Sequence, residues 1–80
     1  MSGEKQIVFA RIQKRPDVQV IVRGILFDGN WFIDIRECFK CDGAYHHSKT
    51  GIRLPMSNAA LLMSGIEDAI ALSEVKHAAS

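Results

Sequence analysis

Two alternating runs joined by Asp28-Gly29 leave this chain few folds to choose from. From Val18 to about Leu26, Val18, Val20 and Val22 fall on one parity and Gln19, Ile21 and Arg23 on the other. From Asn30 to Phe39, Trp31, Ile33 and Ile35 alternate with Phe32, Asp34 and Arg36. Successive strand residues point to opposite faces, so each run predicts a strand with two distinct surfaces. The glycine supplies the positive φ of a tight turn, which sets the two strands antiparallel and side by side.

The flanking sequence extends this hairpin in both directions. A first strand over about 7–14 carries Val8, Ala10 and Ile12 on one parity and Ile7, Phe9 and Arg11 on the other, and Arg15-Pro16-Asp17 turns it into the second. Asp42-Gly43 marks a further turn, and a short fourth strand is predicted over about 48–54, with Ile52 and Leu54 inward. Pro55 closes the sheet, and Ser57 is placed to cap a helix over about 58–73. Ala59, Leu62, Met63, Ile66, Ala69 and Ile70 recur along that helix at three- and four-residue spacing. The reading is a single α+β domain spanning 1–80: a four-stranded antiparallel, curved sheet followed by one C-terminal helix packed on one face.

Composition adds a subunit. Eighty residues bury only ~60% of the surface of the unfolded chain, yet 48% of them are hydrophobic. A homodimer would cover that surplus. A charged share of 24% excludes a disordered tail, and no run reaches the ~18 apolar residues of a spanning helix. Met1 to Lys5 has no signal-peptide character, so the expected location is cytoplasmic, with Cys38 and Cys41 as reduced thiols. Net charge is only +1, but residues 1–53 hold nine Lys/Arg against six Asp/Glu, leaving a basic front and an acidic tail.

If Val8, Ala10, Val20, Val22, Ile33, Ile35, Ile52 and Leu54 turn toward the helix, the other parity forms an open face. That face would hold Phe9, Ile21 and Phe32 among Arg11, Arg23, Arg36, Lys49 and Arg53, with Asp34 near the centre. Cations to meet phosphates and rings on which unpaired bases stack are what a single strand needs. The competing reading is that arginine stems merely cover a half-buried sheet face, with Phe9 and Phe32 a small second cluster or a dimer contact.

The run Asp34-Ile35-Arg36-Glu37-Cys38-Phe39, then a turn, then Lys49-Thr50-Gly51-Ile52-Arg53-Leu54 and a helix, resembles the signature of the positive cofactor four family of transcriptional coactivators. Phe27 before Asp28-Gly29 is similar to the aromatic at that family's second hairpin. The clear likeness runs from about Phe27 to Ile70. It implies a dimer with helices packed together below two curved sheets, and single-stranded DNA, ahead of RNA, in the grooves. It implies Arg36 on phosphate, Phe27 and Phe39 on bases, and Lys49 on the backbone. Phe39 lies on the parity opposite Arg36, so the strand would have to bend for both to reach one ligand. Cys38 replaces one of the family's two rings, Thr50 replaces a basic residue, and a serine-rich regulatory arm is missing, as in a compact bacterial or phage form. The expected role is low-specificity binding in transcription regulation or in DNA replication or repair, nucleoid-associated if bacterial.

Other chemistries are poorly served. Cys38-x-x-Cys41 with His46 and His47 offers half of a structural zinc site and no second knuckle. A redox motif would have to open a helix, whereas this pair ends a strand. Asp34 and Glu37 are three apart on a strand and point to opposite faces, and no nucleophile triad or phosphate loop is present. No enzyme activity, metal or cofactor is expected. The remaining alternative is a small dimeric protein-protein interaction module that binds no nucleic acid.

Overall fold

The computed structural model describes the backbone of residues 3–79 and the side chains of residues 3–75. Four strands follow one another, β1 (Lys5–Arg15), β2 (Val18–Phe27), β3 (Asn30–Cys41) and β4 (Ala44–Pro55), and the helix α1 (Met56–Ala79) comes last. They pair antiparallel in the order β1-β2-β3-β4, a meander without crossovers. Asp28 and Gly29 have φ of 53° and 78°, and Asp42 and Gly43 have 52° and 81°. Positive φ at both central residues is the turn that matches strand twist, so both hairpins close in two residues. The first turn is tied to the sheet by a hydrogen bond of 2.8 Å from the Lys40 amide to the Asp17 carbonyl.

The fourth strand begins at Ala44, earlier than the expected 48, because the two-residue turn lets pairing start at Cys41 with Ala44. The helix is also longer than expected at both ends. It follows Pro55 directly, which leaves Ser57 in its first turn, and no glycine or proline after Ser73 stops it.

Register fixes the two faces of the sheet. Val22, Ile33 and Ile35 face Ala59, Leu62, Met63 and Ile66 of the helix across an unfilled apolar cleft of about 340 Å³. Cross-strand partners share a face, so Ala10, Ile12, Val20, Leu54 and Ile52 belong with them. Ile7, Val8 and Phe9 depart from the expected parity at a β-bulge between Val8 and Ala10, and Ile7 pairs with Gly24 on the helix side. The inserted residue, Phe9, swings to the helix side, where its ring lies over Gly24 beside Trp31. Val8, expected to face the helix, pairs with Arg23 on the opposite face. A bulge inserts one unpaired residue and resets alternation, so a strict period of two fails there.

The helix touches only β3 and β4 among the described residues. Leu61, Met63, Ile66, Ile70, Leu72 and Val75 are all exposed. At 3.6 residues per turn, Leu61, Leu72 and Val75 fall on the side of the helix away from the Leu62 stripe. An apolar helix on two sides is characteristic of one enclosed by neighbours.

Candidate nucleic-acid interface

Full burial occurs on the face away from the helix. Ile21, Ile25, Asp34 and Cys38 are each 2% exposed or less. Ile21 is flanked in register by Arg11 of β1 and Arg36 of β3, and Ile25 by Gln6 and Phe32. Long polar side chains lay their stems over this apolar strip and hold their charged heads above it.

Asp34 organises those heads. In register it lies between Arg23 of β2 and Arg53 of β4, with Arg36 two residues further along the same face. Arg23 donates from Nε and Nη2 to Oδ2 at 3.0 and 2.7 Å. Arg36 donates from Nε to Oδ2 at 2.9 Å and from Nη2 to Oδ1 at 2.7 Å, and Arg53 from Nε to Oδ1 at 3.3 Å. Burial pushes the Asp34 carboxyl up, but hydrogen bonds from Arg36 and Arg23, with their charges, outweigh it and hold the group well below the usual carboxylate range. Donating to the Asp34 carboxylate in turn raises the Arg36 guanidinium.

A second irregularity completes the site. Between Arg36 and Cys38 the β3–β4 register shifts, and β4 spends extra residues around Lys49. The carbonyls of Ser48 and Lys49 accept from Arg36 Nη1 at 2.8 and 3.2 Å. Gly51, paired with Arg36, leaves room for that side chain. Arg23 uses its remaining nitrogen on Gln6 Oε1.

The cations therefore divide into two kinds. The side chains of Arg23 and Arg36 are 10% and 14% exposed, with all three nitrogens of each engaged. Arg53 is 40% exposed, reaching Glu4 as well as Asp34. Arg11 and Lys49 are exposed and make no ion pair among the described residues.

Of the residues expected at the interface, register brings Arg11, Arg23, Phe27, Phe32, Arg36 and Arg53 onto this face. Lys49 lies in the β4 bulge beside it, and Phe27 is exposed next to the Asp28-Gly29 turn. Phe9 is not on this face, for the reason given above. Phe39 pairs with Val18 and His46 in an unbroken β3, so it keeps the parity opposite Arg36. Sequence reasoning passed over Gln6, and it weighed His47 only as a zinc ligand or a loop cation beside the groove. His47 pairs with Cys38 on the arginine face, a register that counting outward from a two-residue Asp42-Gly43 turn would have supplied. Desolvation, then the charges of Arg23 and Arg36, push His47 below the ordinary imidazole range against a pull from Asp34, with Arg11 adding the smallest push.

Glu37 turns away from Asp34 and bonds Lys14. Cys38 and Cys41 are free thiols, one buried and one exposed. Among the described residues no three His, Cys, Asp or Glu side chains converge as a metal site, and no helix is long and apolar enough to cross a membrane.

The family described as Transcriptional Coactivator p15 (PC4) matches residues 18–65. No curated protein matches the chain significantly. Among solved structures, a PC4 homologue from Burkholderia pseudomallei is 20% identical, with a TM-score of 0.72 over 81% of this chain and 97% of that one, in a tetragonal crystal. Its orthorhombic form gives a TM-score of 0.73 over 89% of that chain. A bacteriophage T5 homologue of the eukaryotic coactivator PC4, implicated in recombination-dependent DNA replication, is 21% identical, with a TM-score of 0.64 over 92% of this chain and 84% of that one.

Proposed function

The chain belongs to the transcriptional coactivator p15 (PC4) family, a family of DNA-binding, coactivator-like factors, and from that premise we propose that it binds single-stranded DNA as a homodimer with little sequence specificity. The observation that carries this reading is the open sheet face, on which Arg11, Lys49 and Arg53 stand exposed around a guanidinium cluster locked by Asp34. An open cationic sheet face suits a flexible strand, whose phosphates meet cations while its bases stack on exposed rings such as Phe27. Arg23, Arg36 and Phe32 form the base of this surface, and the two guanidiniums against the single Asp34 carboxylate keep it positive. Stacking accepts every base, hence the low specificity.

The dimer is supported by the other side of the molecule. The unfilled cleft under the helix and the exposed Leu61, Leu72 and Val75 leave apolar surface that a second copy would cover. A cytoplasmic or nucleoid setting, a role in transcription regulation or in replication or repair, and the lack of catalysis follow from the same reading. RNA is the second choice of ligand.

The test is fluorescence anisotropy of a labelled oligonucleotide of about 20 bases, long enough for one or more binding faces, with duplex as control and two salt concentrations. Saturable binding that favours single strands is expected, with a steep fall in affinity as salt rises, at a slope of about −0.7 per phosphate contacted. Lys49→Ala/Arg53→Ala should lose affinity and flatten that slope without lowering the melting temperature. Salt-independent binding, or none, would leave the protein-docking module as the better account. Sedimentation equilibrium showing only the 8.9 kDa species at micromolar concentration would remove the dimer.

A further inference from the structure

The β3–β4 hairpin runs beyond the rest of the sheet. Val18, the first residue of β2, pairs with Phe39, so Lys40 and Cys41 on β3, with Ala44 and Tyr45 on β4, have no β2 neighbour. Pairing outward from Asp42-Gly43 is regular: Cys41 with Ala44, Lys40 with Tyr45, Phe39 with His46, Cys38 with His47. Alternation puts Lys40 and Tyr45 on the side of Cys38 and His47. Cys38 is two residues from Arg36, and His47 is four from Gly51, the partner of Arg36, so both strands keep the same face through the bulge.

We infer that this hairpin continues the arginine face and that Tyr45 supplies a base-stacking ring at its far end from Phe27, with Lys40 and His47 beside it to meet phosphate. The inference rests on the single-strand reading above and assigns its ligand contact to residues outside the arginine cluster. Tyr45 is exposed, as are Lys40 and His47, and it is the chain's one tyrosine. Phe39, one of the two rings that the family resemblance assigns to bases, faces the helix side and pairs with His46. A strand lying along β3 and β4 would pass from Arg53 and Lys49 over His47 to Tyr45, and an unpaired base at that end finds an aromatic plane with a cation directly opposite. Aromatic rings bind bases through their faces irrespective of base identity, and a cross-strand lysine holds the adjoining phosphate.

The experiment compares wild type, Tyr45→Ala, Tyr45→Phe and Phe39→Ala on a labelled oligothymidylate at fixed salt, with thermal melts of each protein. Tyr45→Ala is expected to bind roughly 5- to 150-fold more weakly, the span for loss of one stacked base. Tyr45→Phe keeps the ring and should stay within about two-fold of wild type on the same scale. Wild-type affinity in Tyr45→Ala overturns the assignment while leaving the single-strand reading intact, most clearly if Phe39→Ala loses binding instead. A wild-type protein that ignores single strands overturns both.

Discussion

The side chain of Arg36 lies across Gly51: a Cβ at position 51 would sit 2.7 Å from the Arg36 Cβ and 2.8 Å from the Ile35 carbonyl oxygen. Neither of those atoms is the far end of a flexible side chain. Gly51→Ala must therefore push β3 and β4 apart or tilt the guanidinium off Asp34 and the Ser48 carbonyl. The expected loss is about 1–3 kcal/mol, the usual range for overpacking, read from a shift in urea midpoint at unchanged slope. A Gly51→Ala protein as stable as wild type would show that Arg36 is not seated against this glycine.

Gly24 makes the opposite case. A Cβ there would approach Phe9 Cε2 at 2.8 Å, as close as the Ile35 carbonyl lies to a Cβ at 51, but Cε2 is the tip of a ring that is 64% exposed. Phe9 can swing aside, and alanine reduces the freedom of the unfolded chain. Gly24→Ala should fall within about 1 kcal/mol of wild type, and neither it nor Phe9→Ala should alter affinity for single strands. Loss of binding in Phe9→Ala would place that ring on the ligand face after all.

Asp34 is the one carboxylate that three arginines share. Removing its charge leaves the buried guanidinium groups of Arg23 and Arg36 repelling one another, and breaking a buried pair in this way costs about 3–5 kcal/mol. Asp34→Asn should show that loss in denaturant melts at neutral pH. The acid limb provides an independent check. The carboxyl is held below its ordinary value of 3.8 in the folded protein, so its contribution is present above that pH and is lost as pH falls toward the folded pKa. Wild type should lose stability along that limb, and Asp34→Asn should lose less. A variant with the wild-type acid slope would mean that other carboxylates govern it.

The meander and the helix were legible because Asp28-Gly29, Asp42-Gly43 and Pro55 punctuate strong period-two runs. The Asp34, Arg23, Arg36 and Arg53 cluster followed from parity alone, since all four occupy regular strand positions. Ile7, Val8 and Phe9 were misread because a β-bulge carries no residue signature that distinguishes Phe9 from an ordinary strand position. The division of the arginines into enclosed and exposed was hidden for another reason. It depends on the carbonyls of Ser48 and Lys49, which an irregularity in β4 turns toward Arg36.

His47 gives the face a titratable member. Arg11 on β1, Arg23 on β2, and Asp34 and Arg36 on β3 act on it, with Cys38 opposite in register. Its folded pKa lies below the ordinary 6.5, so below that pH the unfolded chain takes up more protons and stability falls as pH drops toward the folded value. A bound phosphate chain offsets the arginine charges, the part of the depression that follows desolvation, and so moves the imidazole back toward its ordinary range. Binding then takes up a proton, and affinity for single strands should rise between about pH 7.5 and 6, the interval in which an imidazole titrates. His47→Gln should flatten both trends, while a variant at a histidine on the other parity, His46→Gln, should leave them in place. Anisotropy titrations at several pH values, paired with urea melts in the same buffers, measure the two halves of this linkage. Equal pH dependence in wild type and His47→Gln would assign the proton to another group.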